Sequence, residues 1–552
     1  MMNRRFWSMI LIAGMSGGLL FGPAIWAQEE SGEPPAVESA VSDPGALVRF
    51  DAWFGENVVS HLARVLFFSV YASHTEHEDG TYVRDDAGNY ATAVDDSVGP
   101  RYVRTELPLI VVVLFAGGVF FTFRYGLINL RLFGHSIAVI RGKYDRPEDT
   151  GEVSHFKALT SALSATVGLG NIAGVAVAIT MGGPGAVFWM WFTAFFGMSM
   201  KFSSCTLAHV HRHVHEDGRV LGGPMVYLEQ GLKNTVVGPA VGKGAAVLFA
   251  ILTIFASFGG GNMFQSNQTA NIVAKYFFDG STSRVVMLGI GLVLAFLVAV
   301  VIIGGIKRIG EITSRLVPAM CVFYCGVCLV IILANAGQVP AMFGSIFGSA
   351  FTPDAMFGGF LGVLVQGMRR AAFSNEAGLG SAAIAHAAAK TEEPVREGVV
   401  AMMGPFIDTI IVCTVTALAI LITRSDSLRG TDGAELTAAA FESLHPLLPY
   451  LLVIAVFVFA YSTIISWGYY GERATEYLVG IRGIMPFRVV YVVMVVIGPI
   501  LSLTNIIDFA DMLLLSMAFP NIIGMVFLSG KVKSMADDYV RRLKNGEMKP
   551  VR

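Results

Sequence analysis

Ser164-Ala165-Thr166-Val167-Gly168-Leu169-Gly170-Asn171 and Ser374-Asn375-Glu376-Ala377-Gly378-Leu379-Gly380-Ser381 decide how this chain folds. Each places Gly-Leu-Gly in the middle of an apolar run. The second lies 210 residues after the first (378 − 168 = 210), and at the same offset Ala173 meets Ala383, Pro184 meets Pro394, Phe196 meets Phe406 and Thr206 meets Thr416. A helix broken in mid-membrane frees backbone groups, at several kcal/mol each unless they line a cavity. Freed N–H groups at a half-helix N-terminus suit a carboxylate, and freed carbonyls suit a cation. The competing reading is close helix packing through small residues.

The rest of the 552-residue chain supplies the bilayer context. It is 54% hydrophobic and only 14% charged, against about a quarter charged in a soluble domain. Mean hydropathy is +0.62. These values exclude an ordinary soluble enzyme, and a net charge of −2 offers no nucleic-acid footprint. Eleven apolar segments are long enough to cross about 30 Å of hydrocarbon at about 1.5 Å per residue. They lie near 107–126, 158–181, 186–209, 245–274, 284–304, 314–335, 355–387, 397–423, 447–471, 487–504 and 506–530. Five spans begin with each broken helix. Five is odd, so the second unit is expected to be inverted relative to the first, the pattern of a secondary transporter.

The ends and loops set the expected orientation. Residues 1–27 read as a signal peptide or N-terminal anchor, with Arg4 and Arg5 before an apolar stretch and Ala24-Ile25-Trp26-Ala27 as a cleavage site. An acidic segment, 28–106, follows and includes an amphipathic run over 46–72. The first span and a basic linker occupy 107–157, repeat one 158–335, repeat two 355–530, and a basic tail 531–552. Arg124, Arg131, Arg141, Lys143, Arg146 and Lys157 make the first loop basic, and alternate loops after it carry Lys or Arg, while 336–354 has none. Those basic loops are expected to be cytoplasmic in a plasma membrane, a bacterial inner membrane, with 28–106 outside.

Further motifs bring a family into view. Gly182-Gly183-Pro184-Gly185-Ala186-Val187-Phe188-Trp189-Met190-Trp191 resembles the signature of the alanine or glycine:cation symporter family, the sodium:alanine symporters. So do Arg370 through Gly378, Ile384 through Thr391, Gly261-Asn262-Met263-Phe264-Gln265, and Tyr461-Ser462-Thr463 with Trp467 and Tyr469-Tyr470-Gly471-Glu472. The resemblance covers about 105–530. It implies a LeuT-type fold, an all-α polytopic protein with one extra N-terminal helix before a 5+5 inverted repeat. It also implies Na⁺-coupled uptake of alanine or glycine, or in some members of glutamine. Thr166, Leu169 and Phe192 depart from the residues more usual in the family.

The expected site follows. The substrate carboxylate is assigned to the N–H groups of Gly168, Leu169 and Gly170, with Thr166 and Asn171 beside them. Asn171 is also a candidate ligand for a second ion. Na⁺ is expected among oxygens, by extension of Ca²⁺ and Mg²⁺ chemistry: the carbonyls of Ser164 and Val167 and the hydroxyls of Ser462 and Thr463. The alternative is that these hydroxyls bond their own helix. Gln265 and Asn262 follow a triple glycine and suit a zwitterion, or act as interhelical glue. Phe373 is read as a lid and Trp467 as a wall. Ser374, Asn375 and Glu376 sit at the second break, where Glu376 receives the substrate ammonium, caps the break or carries a proton. Arg369 and Arg370 call for an acidic gate partner. Asp408 is expected near the inner end of its span in a structural pair. His209, His211, His213 and His215 read as a solvated cluster beside Glu216 and Asp217, and Cys325 and Cys328 as small apolar packing groups. No nucleophile motif or phosphate loop suggests an enzyme. H⁺ is the alternative coupling ion.

Overall fold

Interruptions in otherwise continuous helices organise the molecule. The computed structural model describes residues 105–551 apart from 147, 279, 281–282, 303–304, 352–358 and 424–432, together with 49, 51, 53–59 and 69–73. The expected signal segment 1–27 and most of 28–106 lie outside the described residues. Of the amphipathic run, residues 53–59 are helical. Ser69–Ser73 (β1) pairs antiparallel with Thr105–Pro108 (β2), a hairpin the sequence pattern did not announce.

After β2 the described chain is almost wholly helical. Leu109–Arg124 (α1) precedes the first broken helix, His155–Thr166 (α2) and Ala173–Gly182 (α3). Gly185–Val210 (α4) follows. Gly238–Phe258 (α5) continues through a π-helical turn at Gly259–Met263 into Phe264–Phe277 (α6). Arg284–Ile302 (α7) and Gly305–Ala334 (α8) complete the first unit. The second broken helix is Gly359–Asn375 (α9) and Ala382–His386 (α10). Pro394–Ala401 (α11) leads through a π-helical stretch, Phe406–Cys413, to Thr414–Ile422 (α12). Leu448–Val479 (α13), Ile484–Ile497 (α14), Leu503–Ser516 (α15) and Ala518–Lys544 (α16) close the chain.

Among the described residues, seven helical runs are long and apolar enough to cross a membrane, and the bent pair α2/α3, turned by 58°, makes eight. Helix lies on every one of the eleven expected segments, and α1 is a shorter apolar helix. The outer helices show why a bilayer is required. Val285 and Phe296 on α7, Val322 and Leu333 on α8 and Val489 on α14 present their side chains outward. An apolar helix exposed to water on that face would not be stable. The described residues thus form a mostly helical, multi-pass membrane protein with two interrupted helices, as the sequence pattern led one to expect.

The 210-residue correspondence reappears in the elements. Pro184 immediately precedes α4, and Pro394 is the first residue of α11. Proline tolerates both positions because the missing N–H has no helical partner there.

Candidate functional site

The first break falls where the glycines place it. Helix α2 stops at Thr166, and a single 3₁₀ turn, Leu169–Asn171, precedes α3. The amide of Gly168 donates to Asn171 Oδ1 at 2.9 Å, and that of Leu169 donates to Gln265 Oε1 at 3.2 Å. Two freed donors are therefore held by side-chain oxygens. Gln265 Nε2 in turn donates to the Gly260 carbonyl at 3.0 Å, within the π-helical turn. Gln265 thus bridges that turn to the first break. π-bulges inside long helices recur at functional sites.

The second break begins at Glu376, whose φ is +55°. An L-residue in the left-handed region costs about 1–2 kcal/mol, and such strain clusters at ligand sites. Gly378 and Gly380 follow with φ of +85° and +92°, which glycine adopts freely. Asn375 Oδ1 accepts from the Ala377 amide at 2.9 Å and its Nδ2 donates to Thr409 at 3.0 Å. The Glu376 carboxylate accepts from the Ser381 hydroxyl across the break, and Trp467 also hydrogen-bonds it.

The two breaks meet. A β-carbon on Gly170 would lie 3.2 Å from Ser374 Cα. Asp408 ties them together: it accepts from Asn171 Nδ2 at 2.8 Å, Ser374 Oγ at 2.8 Å and Thr409 Oγ1 at 2.7 Å. This corrects the expectation of a structural ion pair near the end of its span. Asp408 lies in the π-helical stretch, where an extra residue per turn changes which side chains face the centre.

The expected Na⁺ ligands also converge. Thr463 Oγ1 donates to the Ser164 carbonyl at 3.0 Å, and Ser164 Oγ donates to the Ser462 carbonyl at 2.7 Å. Val167 is fully buried beside them at the end of α2. Ser462 Oγ donates to Phe459 O at 2.9 Å in its own helix, so the two hydroxyls divide between the two readings. The oxygen set of carbonyls and hydroxyls suits a hard monovalent cation.

Aromatic rings enclose this centre. Phe373 packs edge-on to Phe264 at 5.2 Å and lies against Gly260 and Gly170. Trp467 lies against Gly261, where a β-carbon would come within 2.3 Å of its ring. That close approach accounts for Gly261, while a β-carbon on Gly260 would face Leu514 at 2.9 Å and one on Gly259 would face Ala510 and Phe509 at 3.1 Å. Thr166 turns back into its own helix, and Asn262 takes the interhelical alternative. The Thr166 hydroxyl bonds back to Ala162 at 3.2 Å and Leu163 at 3.3 Å, and Asn262 Nδ2 donates to the Tyr491 carbonyl at 2.7 Å. Both polar groups serve helix packing.

Lys201 was missed. It is buried in α4, and its Nζ donates to the Asn375 carbonyl at 2.8 Å. The signal was available, because a lone lysine inside an apolar span is a functional suspect by the same rule that singles out Glu376.

Beyond the centre the two broken helices are fastened at each end. Arg369 and Arg370 both pair with the fully buried Asp511 of α15, Arg369 at 3.1 Å, supplying the acidic partner they called for. At the other end His155 and His386 flank Glu397, His386 at 2.5 Å. There Lys390 N donates to the Val153 carbonyl at 2.7 Å, and Arg212 donates to the carbonyls of Ala387 and Ala389. The histidine run does not stay together: His209 bonds the Ala389 carbonyl and His211 faces Lys531.

The profile of the sodium:alanine symporter family matches residues 95–552. The chain belongs to that family. The sodium/alanine symporter AgcS of Methanococcus maripaludis is 45% identical over 431 residues, spanning 77% of this chain and 93% of AgcS. A Bacillus subtilis protein named as a probable sodium/glutamine symporter, GlnT, is 35% identical over 443 residues, 80% of this chain and 89% of GlnT. Membership places the chain among transporters that couple amino-acid movement to Na⁺.

Proposed function

We propose that this sodium:alanine symporter family member imports a small neutral amino acid, alanine or glycine, together with Na⁺ by alternating access. The observation that carries this reading is the meeting of both broken helices with Gln265 and Thr463 at one buried centre. The substrate carboxylate takes the N–H groups of Gly168, Leu169 and Gly170, displacing Gln265 Oε1 from Leu169. Its ammonium faces Glu376. Na⁺ takes the carbonyls of Ser164 and Val167 and the hydroxyls of Ser462 and Thr463. Phe373 and Trp467 limit the side chain.

Transport then needs only alternate loosening of the two fastened ends. Opening the Arg370–Asp511 side admits substrate and Na⁺, and opening the His155–Glu397–His386 side releases them. With the basic loops cytoplasmic, that direction is inward across the plasma membrane. No covalent step is involved.

A pocket bounded by rings discriminates weakly, since one methylene is worth about 1–3 kcal/mol. The similarity to GlnT makes glutamine the second reading. Uptake of labelled alanine into proteoliposomes under an inward Na⁺ gradient, competed with glycine and with glutamine, separates the two. Competition by glycine but not glutamine supports the small pocket. The reverse order moves the substrate to glutamine. Uptake driven by a pH gradient without Na⁺ replaces Na⁺ with H⁺, and Glu376 then becomes the carrier.

A further inference from the structure

Lys201 carries an ammonium well inside a helix of 26 residues, with 3% of the residue exposed. From mid-span such a group cannot reach water along its own stem, and burial of an uncompensated charge is strongly unfavourable. Its position shows what compensates it. Nζ donates to the carbonyl of Asn375, the last residue of α9, whose terminal carbonyls have no helical partners because the helix ends there. Gly404 makes the room: a β-carbon there would lie 3.1 Å from Nζ. The ammonium therefore sits against a freed carbonyl of the second break, the kind of group expected to draw a mobile cation.

The ionisable groups acting on Lys201 are Glu376, Asp408 and the Cys205 thiol. Around Glu376 stand Lys201, Asp408, Ser381 and Trp467. Around Asp408 stand Asn171, Ser374, Thr409 and Lys201. Asp408 meets donors, including the purely donating amide of Asn171, as an ionised carboxylate does. The other charged groups close to the site engage one another: Arg369 and Arg370 face Asp508 and Asp511, and His155 and His386 both hydrogen-bond Glu397. With both carboxylates ionised and Lys201 protonated, the centre carries a fixed charge of minus one. A zwitterionic amino acid adds nothing to it. One monovalent cation brings it to zero.

We propose that Lys201 is a resident counter-cation that sets the number of coupled Na⁺ ions at one, by occupying with its own ammonium the place a second mobile cation would take. This rests on the Na⁺-symport reading and deepens it. Without the ammonium the centre carries minus two, and neutral loading requires a second cation. Lys201 is a positioning residue, acting through charge and through the Asn375 carbonyl.

The test uses the full chain in proteoliposomes. First, the reversal potential of alanine flux at set Na⁺ and alanine gradients gives the ratio of Na⁺ to alanine in the unaltered protein. One Na⁺ per alanine is expected, and two overturns the inference even if no variant folds. Next, the Na⁺ dependence of uptake is compared for Lys201→Arg, Lys201→Met and Lys201→Met combined with Asp408→Asn. Lys201→Arg keeps a Hill slope of one. Lys201→Met steepens it toward two, since the slope is bounded by the number of sites, and the double variant restores it. A merely structural lysine would lower the rate in Lys201→Met and leave the slope at one, which overturns the inference. If the unaltered chain shows no Na⁺-dependent uptake, the symport reading itself fails, a result distinguishable from both.

Discussion

Gly168 and Thr463 approach so closely that a β-carbon on Gly168 would lie 2.4 Å from the threonine hydroxyl oxygen. The backbone there, at φ −138°, is open to any residue, so glycine is required by space alone. Gly168→Ala is expected to push Thr463 off the Ser164 carbonyl and to abolish Na⁺-dependent uptake in protein that still elutes as folded. At Gly174 a β-carbon would meet only the Leu169 carbonyl oxygen, 4.0 Å away, so alanine there is expected to leave uptake retained. Equal uptake by Gly168→Ala would remove this contact from the mechanism.

Thr463→Val keeps the shape of the side chain and removes its oxygen. The loss of one oxygen ligand and of its bond to Ser164 is worth about 1–1.5 kcal/mol, or roughly a tenfold change in affinity. The Na⁺ concentration giving half-maximal uptake should rise by that factor, with the maximal rate held at saturating Na⁺. Ser462→Ala should change it less, because that hydroxyl bonds Phe459 in its own helix. A larger effect at Ser462 than at Thr463 would contradict this assignment.

Asp511 holds two arginines, and Arg370 is itself almost fully buried. Asp511→Asn leaves a buried guanidinium unpaired, at about 3–5 kcal/mol. A lower thermal midpoint is expected, together with faster alkylation of a cysteine introduced at Phe373. Unchanged alkylation would mean that the pair does not close this end.

Outside the spans, His135 bonds the Tyr539 hydroxyl at 2.8 Å, linking the segment after α1 to the far end of α16. Burial, and secondarily Arg396, lowers its pKa from 6.5 to about 4. The folded state therefore binds this proton less readily than the unfolded chain does. The associated stability is full above pH 6.5 and is lost as pH falls toward 4. His135→Gln should flatten the fall in thermal midpoint between those values. A fall identical to that of the unaltered protein would assign it to other groups.

The sequence made both breaks legible, because Gly-Leu-Gly in mid-span has few other uses and occurs twice at one offset. The pairing of Ser164 with Thr463 was legible from the vicinal Ser462-Thr463 in a largely apolar span. Asp408 and Lys201 were harder. Their roles depend on which face of a helix they occupy, and the π-helical stretch Phe406–Cys413 alters that face without a glycine or proline to announce it. Proximity of Thr166 to Gly168 along the chain does not fix where its hydroxyl points; its own helix supplies the acceptor. The β1–β2 pairing joins short segments far apart in the sequence, so no local alternation announces it.

On the proposed function one buried centre binds amino acid and Na⁺ together and moves them as a unit, so an alanine gradient alone should drive Na⁺. Proteoliposomes are equilibrated with equal Na⁺ on both sides, an inward alanine gradient is imposed, and ²²Na⁺ entry is followed. Coupled symport predicts transient Na⁺ accumulation above equilibrium that depends on alanine and disappears in Gly168→Ala. Alanine entry with no net Na⁺ movement would contradict it.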